Sequence, residues 1–217
     1  SRMGEYDRNP LRQDIEEIGR MIGINYALNA VLDEKKEILE VFFGNPVLVM
    51  QQGIKVVNDI SRIEIEEKYD IVIASAGGYP KDINLYQSQK AMTHASFFCK
   101  PNRTILLFAE CREGVGSDGY LEFMKDVSTI DGVFNKFSRQ GFSVGPHKAL
   151  QIARILENHH IYLHSSLSQN QVTRLLLAPF DPQELTTFLL VNISYKGRIA
   201  VLPHATACIP FFKGAKK

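Results

Sequence analysis

The segment 71–90, IVIASAGGYPKDINLYQSQK, constrains the fold more than any other stretch of the chain. Ile71, Val72, Ile73 and Ala74 follow Tyr69-Asp70 as an apolar, largely β-branched run that reads as a buried strand. Gly77, Gly78 and Pro80 break it, and Asp82 is placed to cap a helix carrying Tyr86, Gln87 and Lys90. Strand, glycine turn and helix in that order build parallel sheets, and ligands of such sheets bind beyond the carboxyl ends of the strands.

The alternation continues downstream. Strands are expected over 70–75, 104–109 and 160–164, with helices over 84–98, between 119 and 136, and over 145–158. Shorter elements follow at 170–175, 182–190 and 198–202, the last a strand. The fold class is therefore α/β, a Rossmann-like parallel or mixed sheet with crossover helices. Upstream, Asn9 can cap and Pro10 suits a first helical position, Leu11, Ile15, Ile18 and Met21 or Ile22 recur at helical spacing, and Gly23 ends the helix. The β-like runs 24–33 and 36–44 predict an antiparallel hairpin turning at Asp33-Glu34-Lys35, and Asn45-Pro46 opens a second helix to about Ile60. A helix–hairpin–helix lobe over 1–66 thus precedes the core over 67–217. There is no internal repeat, and GFSVGP at 141–146 reads as a loop rather than a linker.

Composition narrows the function classes. At 45% hydrophobic and 23% charged, the chain can bury a full core, and a net charge of +1 gives no field to attract nucleic acid or anionic lipid. The terminal cluster 213–217 is the longest basic run. Cys99, Cys111 and Cys208 are an odd number without CxxC spacing, which fits a reducing cytoplasm. The longest apolar runs fall short of the roughly 20 residues that a membrane span needs. Ser1-Arg2-Met3-Gly4 opens the chain without an initiating methionine, as expected of an excised fragment.

Two glycine-rich loops, 76–80 and 114–119, are expected to end adjacent strands and to face one crevice, with Gly77, Gly78 and Gly114 as loop contacts. Neither is GxGxxG or GxxxxGK[ST], so a dinucleotide or triphosphate is poorly supported, and the glycines can equally serve only as tight turns. On the following helix, Tyr86, Gln87 and Lys90 lie three and four residues apart and share one side. Backbone N–H groups and the dipole at a helix start favour an anion, and a lysine there is disfavoured unless something negative offsets it. A small carboxylate would do so, taking charge from Lys90, an amide donor from Gln87 and a hydroxyl from Tyr86; the competing reading is a solvated lysine beside a half-buried tyrosine.

The other candidates carry less. His160 and His164 alternate onto one strand face without a third ligand at metal spacing and read as core or interface histidines. Cys111, flanked by Glu110, Arg112 and Glu113, is expected to be buried and inert. His94 falls one turn beyond Lys90 and suits a polar surface. Glu110 and Glu113 are candidate anchors of the second loop, and Ser117 with His147 lacks a nucleophile context.

Three motifs together, RNPLRQDIEEIG at 8–19, the segment 71–90 and AECREGVGS at 109–117, resemble the C-terminal domain of the nickel-pincer lactate racemase family over residues 2 to about 178. The resemblance implies a 2-hydroxyacid racemase or epimerase. Enzymes of this kind move a hydride to and from a nickel pincer nucleotide and back, with histidines serving the hydroxyl proton. It further implies that Tyr86, Gln87 and Lys90, as the family's Tyr-Gln-x-x-Lys segment, bind the substrate carboxylate while the domain closes over the site. The lysine tether, nickel ligand and acid/base histidines would precede residue 9, in an N-terminal catalytic domain. No catalytic or metal-binding residue is then expected here, and the isolated fragment is expected to be inactive. Two rivals stand beside this reading. One is a non-catalytic α/β module binding a small carboxylate or nucleotide, and the other a self-contained hydrolase or transferase using Cys111 or Glu110.

Overall fold

The computed structural model describes residues 6–33, 35–193 and 196–213. The opening 1–4, Glu34 of the expected turn and the basic cluster beyond Lys213 lie outside the described residues. The chain falls into two compact units that divide between Arg62 and Ile63.

In the first unit, α1 (Pro10–Ile22) starts where Asn9 Oδ1 accepts from the Arg12 amide and ends at Gly23, whose φ of 77° suits glycine. β1 (Ala27–Leu32) and β2 (Ile38–Gly44) pair antiparallel. Asp33 shapes their turn by accepting from the Lys35 and Glu37 amides, both at 2.8 Å. α2 (Pro46–Ser61) is capped by Asn45. Among the described residues of this unit, Val31 and Val49 alone are fully buried, while Leu11, Ile15, Ile18, Met21 and Ile22 along α1 are exposed.

The second unit is a five-stranded sheet in the order β7 (Ala178–Pro179), β6 (His159–His164), β5 (Cys99–Phe108), β4 (Tyr69–Ser75), β8 (Ile199–Leu202). It is parallel throughout rather than mixed. The crossovers are α3 (Leu85–Phe98) between β4 and β5, then α4 (Asp118–Met124), α5 (Ile130–Gln140) and α6 (Pro146–Leu156) before β6. α7 (Gln169–Arg174) precedes β7, and a short 3₁₀ turn with α8 (Leu185–Asn192) precedes β8. Alternate strand residues serve opposite faces. Val72, Ala74, Ile105, Leu107, Ile161 and Leu163 meet Leu85, Met92, Phe98 and Tyr120 on one side. Ile71, Leu106 and Phe180 pack with Tyr162 and Phe188 on the other. Burial on both faces explains why these strands read as continuous apolar runs.

Three short strands had no sequence signal: β7, and β3 (Arg62–Ile65) with β9 (Ile209–Phe212), which form a separate ladder. β5 starts at Cys99, five residues earlier than its apolar run suggests, because the Lys100-Pro101-Asn102 stretch extends it across an irregularity in the β4 register. At the amino end of β4, Asp70 ties the chain together. It meets Lys100 at 3.1 Å and Arg103 at 3.4 Å, and it accepts from the Arg198 amide at 3.0 Å. No helix among the described residues is long and apolar enough to cross a membrane.

Candidate functional site

The second glycine loop and the residues before it close on the segment 82–86, which follows the first loop. Cys111 N donates to Asp82 O at 2.8 Å and Glu113 N to Ile83 O at 2.9 Å, while Leu85 N and Tyr86 N donate to Gly114 O and Val115 O at 3.1 and 3.0 Å. Gly116 is required by this contact: at φ 79°, a Cβ there would lie 2.2 Å from Asn84 Cγ.

That closure corrects two expectations. Asn84, not Asp82, caps α3, accepting from Gln87 N at 3.0 Å. Asp82 lies two residues too early and instead receives the Glu110 amide at 3.3 Å on Oδ2, fastening the second loop. The α3 amides of residues 85–88 are then all taken by loop carbonyls or Asn84. An anion at α3 must be held by side chains, with only the dipole behind them.

Two of those side chains meet. Tyr86 and Gln87 are half-buried and Lys90 is exposed. Lys90 Nζ donates to Gln87 Oε1 at 2.7 Å, which leaves the Gln87 amide nitrogen, a donor, outside that contact. The ring of Tyr86 has His147 edge-on at 5.9 Å and Lys148 Nζ at 4.8 Å from its centroid. Lys148 also donates to the buried Gln89 Oε1 at 2.9 Å. Sequence reasoning missed Lys148, although the signal that marks Lys90 marks it as well: Pro146 opens α6 and puts Lys148 in the first turn, where a cation is disfavoured.

The remaining candidates are elsewhere. A cavity of about 480 Å³ opens at the carboxyl ends of β4, β5 and β6, lined by Ser75, Gly78, Asp82, Glu110, His164 and Ser166 among others. Gly78 lines it, whereas Gly77, Gly114, Tyr86, Gln87 and Lys90 do not. Its two carboxylates make it unsuited to a small anion. His160 and His164 are exposed rather than in the core: they share a face with Tyr162, which packs against the second cluster, but flank it near the two ends of β6; His164 Nδ1 sits 3.3 Å from Phe180 O. His94 is half-buried, with Nδ1 2.9 Å from Cys208 O, and holds the chain before β9 rather than facing a crevice. Ser117 Oγ accepts from Tyr120 N as the cap of α4.

Cys111 is 1% exposed, and burial pushes its thiol up to about 11, a shift that Asp82 and Glu110 reinforce and a contact with Ser88 opposes. It is no thiolate nucleophile near neutrality. Glu110 is engaged by Arg112 at 3.0 Å. Cysteine or glutamate chemistry in this unit therefore has no support. Among the described residues, no group of three or more His, Cys, Asp or Glu side chains is arranged to hold a metal ion. The described residues therefore do not themselves fit a nickel centre.

Fold and side chains together define a parallel α/β domain of the doubly wound kind that presents a Tyr-Gln-x-x-Lys cluster on its first crossover helix. Residues 65–188 match the model of the lactate racemase C-terminal domain, and the chain belongs to that family. It is 32% identical over 214 residues to a lactate racemase of Thermoanaerobacterium thermosaccharolyticum, covering 96% of this chain and 50% of that protein. It is 30% identical over 174 residues to one from Lactiplantibacillus plantarum, covering 77% of this chain and 40% of that protein. The solved lactate racemase apoprotein from T. thermosaccharolyticum superposes with a TM-score of 0.88 at 29% identity, over 96% of this chain and 51% of that one. A Thermotoga maritima protein shares the fold alone, with a TM-score of 0.68 at 11% identity over 94% of this chain and 54% of that one. The chain thus spans about half the length of the first lactate racemase it matches.

Proposed function

We propose that this chain is the C-terminal part of a cytoplasmic 2-hydroxyacid racemase or epimerase of the lactate racemase type, and that Tyr86, Gln87 and Lys90 bind the substrate carboxylate. The observation that carries this reading is the Lys90–Gln87 pair: an exposed ammonium held by a neutral amide at 2.7 Å, with no carboxylate pairing Lys90 among the described residues. Lys90 supplies the charge, Gln87 a directed hydrogen bond and the Tyr86 hydroxyl a further donor, which together fix the carboxylate and leave the hydroxylated carbon to present either face.

The nickel pincer nucleotide, the hydride transfer and the acid/base histidines belong, in this proposal, to an N-terminal domain of the same polypeptide. The lengths of the relatives and the exposed apolar side of α1 favour such a partner. Closure of this domain over that partner brings the lysine to the substrate and excludes water, and the fragment alone is inactive. The free cysteines accord with a reducing compartment.

The test is Lys90→Ala in the full-length protein matured with its cofactor, followed by chiral analysis of product from single-enantiomer lactate and a panel of 2-hydroxy acids. A loss of about tenfold to a hundredfold in kcat/KM is expected from removing one charge-assisted hydrogen bond. An undiminished rate would remove Lys90 from the substrate site. A stand-alone carboxylate-binding module draws no support from the acidic cavity at the strand ends, and saturable tight binding by the 217 residues alone would be its sign.

A further inference from the structure

Lys148 is 6% exposed on α6, yet lysines are seldom buried without a paired acid. Among the described residues no carboxylate lies within ion-pair distance of it; its neighbours are Gln89 Oε1 at 2.9 Å and the face of Tyr86 at 4.8 Å. An ammonium has three donors, and Gln89 accepts one. Burial, and then repulsion from Lys90, hold its pKa below the ordinary lysine value, so the two cations act on each other without a counter-anion from the chain. A tie between α3 and α6 through Gln89 would be made as well by a neutral side chain, without the desolvation of a charge.

We propose that Lys148 is a second cation of the substrate site and selects 2-hydroxy acids that carry a second anionic group, a carboxylate or a phosphate. The proposal rests on the reading of Tyr86, Gln87 and Lys90 as the carboxylate site and extends it. Tyr86 is the common neighbour of the two cations: Lys90 follows it by one turn on α3, and Lys148 lies over its ring. A monoanion engaged by Lys90 leaves Lys148 uncompensated, whereas a dianion neutralises both and satisfies the donors that Gln89 leaves free.

The test compares kcat/KM for lactate, 2-hydroxybutanedioate and 3-phospho-2-hydroxypropanoate in the full-length, cofactor-loaded protein, as wild type, Lys148→Gln and Lys148→Arg. The wild type is expected to prefer one of the two substrates that carry a second anionic group over lactate by about tenfold to a hundredfold, and which one it is names that group. Lys148→Gln collapses that preference, mainly through KM, and Lys148→Arg restores part of it. Inhibition by succinate compared with propionate provides a reading in wild type alone should the variants fail to fold, with succinate expected to bind more tightly. Lactate turnover equal to or better than both of those substrates overturns the proposal while leaving the carboxylate site standing, as does a preference that Lys148→Gln does not change. Racemisation of no panel member overturns the underlying reading as well.

Discussion

Tyr120 is wholly buried, and its hydroxyl has no hydrogen-bond partner among the described residues. Burial pushes its pKa up, a sign of the same isolation. An unsatisfied buried hydroxyl costs about 1–3 kcal/mol, so Tyr120→Phe is expected to leave stability unchanged or raise it by up to about 1 kcal/mol in urea unfolding. A clear loss would mean that the hydroxyl is engaged. Asp70 is the opposite case. Burial alone would raise its carboxyl pKa, but the Arg198 amide and Lys100, with Arg103, outweigh it and hold the value below the ordinary aspartate range. A pKa depressed on folding contributes stability that is present above the unfolded value and lost as pH falls through the folded one. Asp70→Asn is therefore expected to lower stability near neutrality by about 1–3 kcal/mol and to flatten the decline of the wild type below the ordinary aspartate pKa. Parallel unfolding curves for the two proteins over that acid range would remove Asp70 from the account.

α3 shows how a helix is placed by contacts beyond its own sequence. Its cap comes from Asn84 and its first amides end on carbonyls of residues 114 and 115, so the second glycine loop is part of the helix's amino terminus. Gly116→Ala strikes that joint through both the left-handed backbone and the approach to Asn84. A loss of about 1–3 kcal/mol in denaturant unfolding is expected, with weaker substrate binding in the full-length protein as Tyr86 and Lys90 shift. Wild-type stability would show that the loop gives way freely. The helix itself was legible in the sequence, since Ile71 to Ala74, Gly77-Gly78 and the turn residues before Leu85 each carry local signals. Its cap was not, because Asp82 and Asn84 are chemically equivalent cap residues and only the loop contacts decide between them. The same limit applies to Lys148: its lysine in a first helical turn is visible in the sequence, but its position over Tyr86 depends on the packing of α6 against α3, which no local spacing encodes. β3, β7 and β9 were invisible for a related reason. At two to four residues they lack a period to read, and their pairing is supplied by the rest of the fold.

The two units differ in how far they can stand alone. The second unit carries both apolar faces of the sheet in its own helices, with residues such as Leu85, Ile105 and Ile152 wholly or almost wholly buried. The first unit has two fully buried residues among those described, and it leaves the apolar stripe of α1 in solvent together with Leu28, Phe43 and Leu48. A sheet-and-helix core of the first kind folds by itself, whereas a helix pair and one hairpin lack the burial to offset chain entropy unless another surface covers them. A fragment spanning residues 62–217 is therefore expected to unfold in one cooperative transition, at a denaturant midpoint close to that of the 217-residue chain. Residues 1–61 alone are expected to show no cooperative transition. The 217-residue chain should also bind more of a hydrophobic dye than the 62–217 fragment, because its extra apolar surface lies in the first unit. If the shorter fragment were unfolded, the second unit's core would depend on residues before Arg62. If residues 1–61 folded cooperatively, their exposed stripe would lose its force as an argument for the N-terminal partner proposed above.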